Sequence, residues 1–163
     1  MVQTNMGTTS SAPTLDEFVL FELVKTTYAV RSAAVRRLEM VENVTPVPNA
    51  TKSLEGVVLS QGRIIPAVNL RARFGFDRID YDLRTRLIVV EAEGRTVGLI
   101  VDTAREFTTL PSNEIKPPPE AIANLKGDYV EGIATVDGRL ILILRLEEIL
   151  KIADELPVNE SVN

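Results

Sequence analysis

The amino-acid sequence predicts an all-β protein folded as two related five-stranded β-barrels packed together. Three observations predict it. Short apolar runs recur along the chain, each bounded by turn residues. Helical periodicity is confined to a few short stretches. The two halves of the chain repeat one another in the type and order of their units. The 163 residues suffice for one domain of ordinary size or two small ones.

Residues 1–15, with Gly7, Ser10, Ser11 and Pro13, read as a disordered lead-in. Residues 17–24 alternate, with Val19, Phe21 and Leu23 on one face, and Lys25-Thr26-Thr27 turns them into a strand over 28–30. Residues 56–59 meet 63–68 across Ser60-Gln61-Gly62, and Pro66 marks an edge or a bulge there. Residues 70–74 form a short helix. Residues 87–92 turn through Glu93-Gly94 into 97–101. Residues 129–136 meet 140–144 across Asp137-Gly138, the strongest hairpin signal, because both residues tolerate positive φ. Residues 146–153 carry Leu146, Ile149 and Leu150 at helical spacing and predict a C-terminal helix. Residues 154–163 read as a flexible end. The count is eight or nine short strands.

The repeat has two offsets. Residues 18–38 shifted by 69 lie on 87–107, so that Glu22 meets Glu91, Thr27 meets Thr96 and Arg36 meets Arg105. Residues 56–70 shifted by 76 lie on 132–146, so that Gly56 meets Gly132, Gly62 meets Gly138 and Ile65 meets Ile141. A proline cluster separates the hairpins of each half: Pro46 and Pro48, then residues 117–119. Two units of about 70 residues are each marginal alone and should share a packed interface. The division expected is 16–75 and 76–153, with exchange of end strands as an open alternative. The groove between the units is where a ligand would sit.

Composition narrows the function. Eighteen Lys and Arg against 23 Asp and Glu give a net charge of −5, and aromatics make up 5%. That balance counts against an OB-like nucleic-acid binder. The absence of His and Cys excludes imidazole acid–base catalysis, thiol nucleophiles, disulfides and Cys/His zinc sites. No catalytic set and no cofactor or metal motif appears; Asp102 reads as a turn or cap residue. No leader peptide or bilayer-length apolar run is present, so a cytoplasmic chain without direct membrane insertion is expected.

The ordered pattern resembles the CheW family of bacterial chemotaxis coupling proteins. The resemblance rests on the strand at 18–23 with 28–30, on 35–38, on 56–58 with 62–71, and on 73–75. It continues through 97–102, 115–120, 129–132 and 138–143, covering roughly residues 18 to 150. It implies two SH3-like barrels with a few short helices and a C-terminal helix, no enzymatic activity, no cofactor, and two partners. One is the cytoplasmic tip of a methyl-accepting chemoreceptor, a helical hairpin laid between the barrels. By family position its contacts would be Val35, Arg37, Leu38, Gly56, Gln61 and Phe107. Gly56 would be bare so that the partner's helix can pass. The other partner is the regulatory domain of a CheA-type histidine kinase, with contacts at Leu87, Ile88, Lys116, Glu120 and Ala121. Leu87 or Ile88 would then be exposed at a barrel edge.

This chain departs from the family pattern at four positions. Arg37 stands for an acid, Gln61 for a basic residue, Asn69 for an Asp, and Ala121 for an apolar or aromatic residue. These departures suggest a divergent receptor and leave a non-flagellar output open. The competing reading is a β-barrel module that binds a peptide or small molecule without an array role, such as one cut from a larger kinase. A start at Met1 and polar ends favour a free-standing protein.

Overall fold

The computed structural model describes residues 13–123 and 128–151. The flexible ends expected from sequence lie largely outside those residues, as do the last two residues of the expected C-terminal helix. Ten strands form two five-stranded sheets. The first contains β1 (Leu15–Leu23), β2 (Thr26–Arg31), β8 (Thr103–Pro111), β9 (Val130–Val136) and β10 (Arg139–Leu144), in the order β8-β1-β2-β10-β9. The second contains β3 (Val35–Met40), β4 (Leu54–Ser60), β5 (Arg63–Asn69), β6 (Arg86–Ala92) and β7 (Arg95–Val101), in the order β3-β6-β7-β5-β4. Three α-helices are a single turn each: α1 (Leu70–Arg73), α2 (Glu120–Ala123) and α3 (Leu146–Ile149).

The sheets do not follow the 16–75 and 76–153 division. Each half sends its opening hairpin into the sheet that holds the rest of the other half: β1 and β2 join β8–β10, and β6 and β7 join β3–β5. The repeat explains why this works. Under the 69-residue offset every pairing of β1 with β2 superimposes on β6 with β7; Val19↔Val30 becomes Ile88↔Leu99. The β1–β8 ladder likewise superimposes on β6–β3, down to the extra residue that the ladder leaves unpaired, Arg36 in β3 and its equivalent Arg105 in β8. Equivalent hairpins therefore offer equivalent edges, and either can complete either sheet.

Each sheet is bridged from edge to edge. The chain following β3 returns to β4 through Thr45 and Val57, which exchange backbone hydrogen bonds of 2.9 and 2.8 Å. The chain following β8 returns to β9 through Lys116 and Ile133, at 2.9 and 2.8 Å. Bridging in this way satisfies part of the edge that an open sheet would leave unpaired.

Alternation sorts the side chains into three cores. Phe18, Leu20, Ile141 and Ile143 fill the first barrel, and Val58, Ile65, Leu87, Val89 and Ile100 fill the second. Opposite faces of the same hairpins, through Val19, Phe21, Ile88, Val90 and Leu99, meet between the barrels in a third and largest core. The alternating face expected at Val19, Phe21 and Leu23 is this shared one. β1 and β6 are thus covered on both sides, which is why they read as nearly unbroken apolar runs.

Two strands were not legible as strands. β3 (VRRLEM) and β8 (TAREFTTLP) are edge strands with one apolar face at most, so their sequences look polar. Pro66 sits neither on an edge strand nor at a bulge. β5 is an inner strand, but its ladder to β7 begins at Ala67, so no N–H is needed at 66.

All four hairpins turn through two residues with positive φ: Val24-Lys25 (50° and 65°), Gln61-Gly62 (48° and 79°), Glu93-Gly94 (52° and 76°) and Asp137-Gly138 (51° and 78°). This is the type I′ geometry, whose twist matches that of the strands. The first turn is one residue earlier than the sequence suggests, and it lacks glycine. Val24, β-branched, is costly in the left-handed region. Val24→Asn with Lys25→Gly is therefore expected to stabilise the fold by about 1 kcal/mol. Calorimetry should show a melting temperature higher by about 2–4 °C.

Candidate functional site

The inward face of β3, β4 and β5 ends in a mouth at one end of the second barrel. Ser60 is buried there and donates a 2.8 Å hydrogen bond to Glu39 Oε2. The Arg37 guanidinium donates to both Glu39 and the Ser60 hydroxyl. This triad clips edge strand β3 to edge strand β4. Arg36 donates to Glu91 through Nε at 2.7 Å. Arg36, Arg37, Ser60 and Glu91, with Gln61, Arg63, Ile65 and Thr96, line a pocket of about 210 Å³. The structure thus brings Arg37 and Gln61 to one place. Within the chain, Glu39 balances the charge of Arg37.

Val35 and Leu38 lie half-buried on the same strand and pack against the shared core. Leu38 pairs with Ile88, and its repeat equivalent Phe107 pairs with Val19. Directly opposed residues share a face, so Phe107 also points toward the inter-barrel side. Yet Phe107 is 62% exposed. Gly56 is required by the chain's own packing. A Cβ there would lie 2.6 Å from the Thr45 carbonyl carbon and closer still to its oxygen. The close approach is made by the chain itself at the Thr45–Val57 bridge.

Leu87 and Ile88 are 2% and 0% exposed. The expectation of an exposed apolar edge is wrong here: β6 is an inner strand, with Leu87 in the second barrel's core and Ile88 in the shared core. Neither side chain is available to a partner. Lys116, Glu120 and Ala121 are exposed and lie together on the segment from the Lys116–Ile133 bridge into α2. The Lys116 ammonium donates to the Asn113 carbonyl at 3.3 Å.

Asp102 is a capping residue in the geometry found. It accepts from the Val24 backbone N–H at 2.9 Å, and from Arg71 Nε and Nη2 at 2.7 and 2.6 Å. It so ties the β1–β2 turn to α1. The hydrogen bond to Asp102 holds the Arg71 guanidinium above its ordinary pKa, against a smaller opposing effect of burial. Asn69 caps α1 by accepting from the Ala72 N–H at 3.0 Å. Among the described residues no cluster of His, Cys, Asp or Glu could hold a metal ion.

Comparison with known proteins decides the family. The CheW-like domain model matches residues 17–154. The chain belongs to the CheW-like domain family. The chemotaxis protein CheW of Klebsiella aerogenes is 27% identical over 146 residues, covering 90% of this chain and 87% of that protein. CheW of Thermotoga maritima is 31% identical over 131 residues, covering 78% and 83%. Protein FrzA of Myxococcus xanthus is 24% identical over 139 residues, covering 84% and 86%. The crystal structure of the scaffolding protein TtCheW from Thermoanaerobacter tengcongensis superimposes with a TM-score of 0.80 at 28% identity, covering 90% of this chain and all of that one. As a CheW-like protein the chain is a non-catalytic chemotaxis adaptor, not an enzyme. No helix among the described residues is long and apolar enough to cross a membrane.

Sequence reasoning missed Ser60 and Arg63 as lining residues of the barrel mouth, and Glu39 as the partner of Arg37 and Ser60. Their signal was parity: Val58 and Ser60 alternate inward on β4, and Ile65 and Arg63 on β5.

Proposed function

We propose that the chain couples the cytoplasmic tips of methyl-accepting chemoreceptors to the regulatory domain of a CheA-type histidine kinase, acting in the cytoplasm at receptor arrays. The observation that carries this reading is Phe107, a large aromatic left exposed on the inter-barrel side of an edge strand. Its repeat equivalent Leu38 is half-buried with Val35 on the other edge strand. Such an apolar strip suits the apolar face of a partner helix. Arg37 and Gln61 on the neighbouring mouth would tune the choice of receptor, and Gly56 would act by holding the β4 backbone in place. For the kinase, the exposed Lys116, Glu120 and Ala121 supply a candidate surface.

The test is reconstitution. Purified protein, a receptor-tip hairpin assembled on vesicles, and a CheA-type kinase are sedimented together. Kinase in the pellet only when the protein is present supports the coupling role, and kinase that stays in the supernatant with and without it sinks that role.

A further inference from the structure

We propose that the mouth of the second barrel is a carboxylate-binding pocket, filled by an acidic side chain of the helical partner that docks along β3. The inference rests on the receptor reading above and adds the partner's chemistry. β3 carries both surfaces. Val35 and Leu38 turn toward the shared core, while Arg36 and Arg37 rim the pocket.

The charge count around the mouth leaves one cation over. Arg36 is paired with Glu91 and Arg37 with Glu39. Arg63, exposed on the same rim, has no carboxylate partner among the described residues. On a chain of net charge −5 this is a local reversal of sign, and it attracts an acid. A guanidinium offers parallel donors matched to the two oxygens of a carboxylate. The pocket floor is Ile65, fully buried, so a charge-assisted bond formed above it is less screened than one on open surface. About 210 Å³ admits one acidic side chain with water but not a helix, which leaves the helix itself on the adjoining strip.

The arrangement is not a generic consequence of the barrel. The repeat puts Val136 at the place of Ser60 and Asp137 at that of Gln61. The corresponding turn of the first barrel therefore carries an acid and lacks the hydroxyl that organises Arg37.

The experiment uses the full chain, a chemoreceptor-tip hairpin peptide, and versions of that hairpin with each exposed Glu changed singly to Gln. Binding is measured for wild type and for Arg63→Ala, whose melting temperature should be unchanged. One Glu→Gln change is expected to weaken binding to wild type about fivefold and to leave binding to Arg63→Ala unaltered. In parallel, glutarate is titrated at low salt while the arginine Nε–H resonances are followed by NMR. Shifts at Arg63 and Arg36 in wild type, and no Arg36 shift in Arg63→Ala, are expected. A hairpin that binds with every Glu→Gln change costing the same in both proteins overturns the proposal. So does the absence of any glutarate-induced shift. A hairpin that fails to bind wild type removes the coupling reading and the helical occupant with it, and the glutarate shifts then decide the pocket alone.

Discussion

Gly56→Asp is expected to destabilise the second barrel, not simply to remove a partner. At φ +153° the residue lies where side chains are rarely accommodated, and the atoms that a Cβ would meet are the backbone carbonyl of Thr45 and the Cα of Pro46. No flexible side-chain end can yield. Relief requires moving residues 45–46 off β4, which breaks the paired Thr45–Val57 hydrogen bonds that join one edge of the sheet to the other. Backbone strain and overpacking together should cost about 3 kcal/mol or more. A chain of this size then melts lower by roughly 6–12 °C. Gly62→Ala is the contrast: φ is +79° but nothing lies within 4 Å, so only the conformational cost of about 1 kcal/mol applies. Gly132, the repeat equivalent of Gly56, faces Ile115 Cγ2 at 2.7 Å and the Lys116 oxygen at 3.1 Å, so its main conflict is with a side chain that must shift rather than with backbone. The expected order of melting temperatures is therefore Gly62→Ala above Gly132→Ala above Gly56→Asp. A Gly56→Asp protein that melts like wild type yet no longer binds a receptor hairpin would return Gly56 to the role of a contact residue.

Gly56 illustrates what the sequence carries and what it does not. A glycine in a strand announces a close approach, but not by whom. The partner's helix and the chain's own residue 45 leave the same mark in the sequence. The hairpins were legible wherever glycine follows Gln61, Glu93 or Asp137, because that pair of residue types fits a type I′ turn. The first hairpin turn was displaced because Val24-Lys25 adopts the same angles without the usual residues. The 69- and 76-residue offsets gave the units and their registers. They could not give the exchange of hairpins, since two equivalent hairpins fit either sheet equally well. Leu87 and Ile88 were misjudged for a reason present in the sequence: the run 87–90 has four apolar residues without alternation, the mark of a strand covered on both faces. Arg37 and Glu39, two apart on one strand, share a face, so their pairing could have been anticipated. The bond from Arg37 to Ser60 could not, because it spans the closure between two edge strands that only the fold brings together.

Phe107→Ala is expected to cost about 2 kcal/mol of receptor binding, roughly thirtyfold in affinity, while leaving the melting temperature close to that of wild type. Stability is spared because a ring 62% exposed gives up little burial when it is truncated. Binding suffers because, on the docking strip proposed above, an exposed aromatic is desolvated only in the complex. The repeat sharpens the claim. Leu38, the equivalent residue, is already half-buried against the shared core, so Leu38→Ala should lower both stability and binding and cannot separate the two. Leu140, at 63% exposure on β10, is the matched control for general surface hydrophobicity, and Leu140→Ala should leave hairpin binding unchanged. Isothermal titration of a receptor-tip hairpin into the three variants reads the difference directly. If Phe107→Ala binds as tightly as Leu140→Ala, the exposed ring is an ordinary surface aromatic and the apolar strip between the barrels is not where the receptor docks.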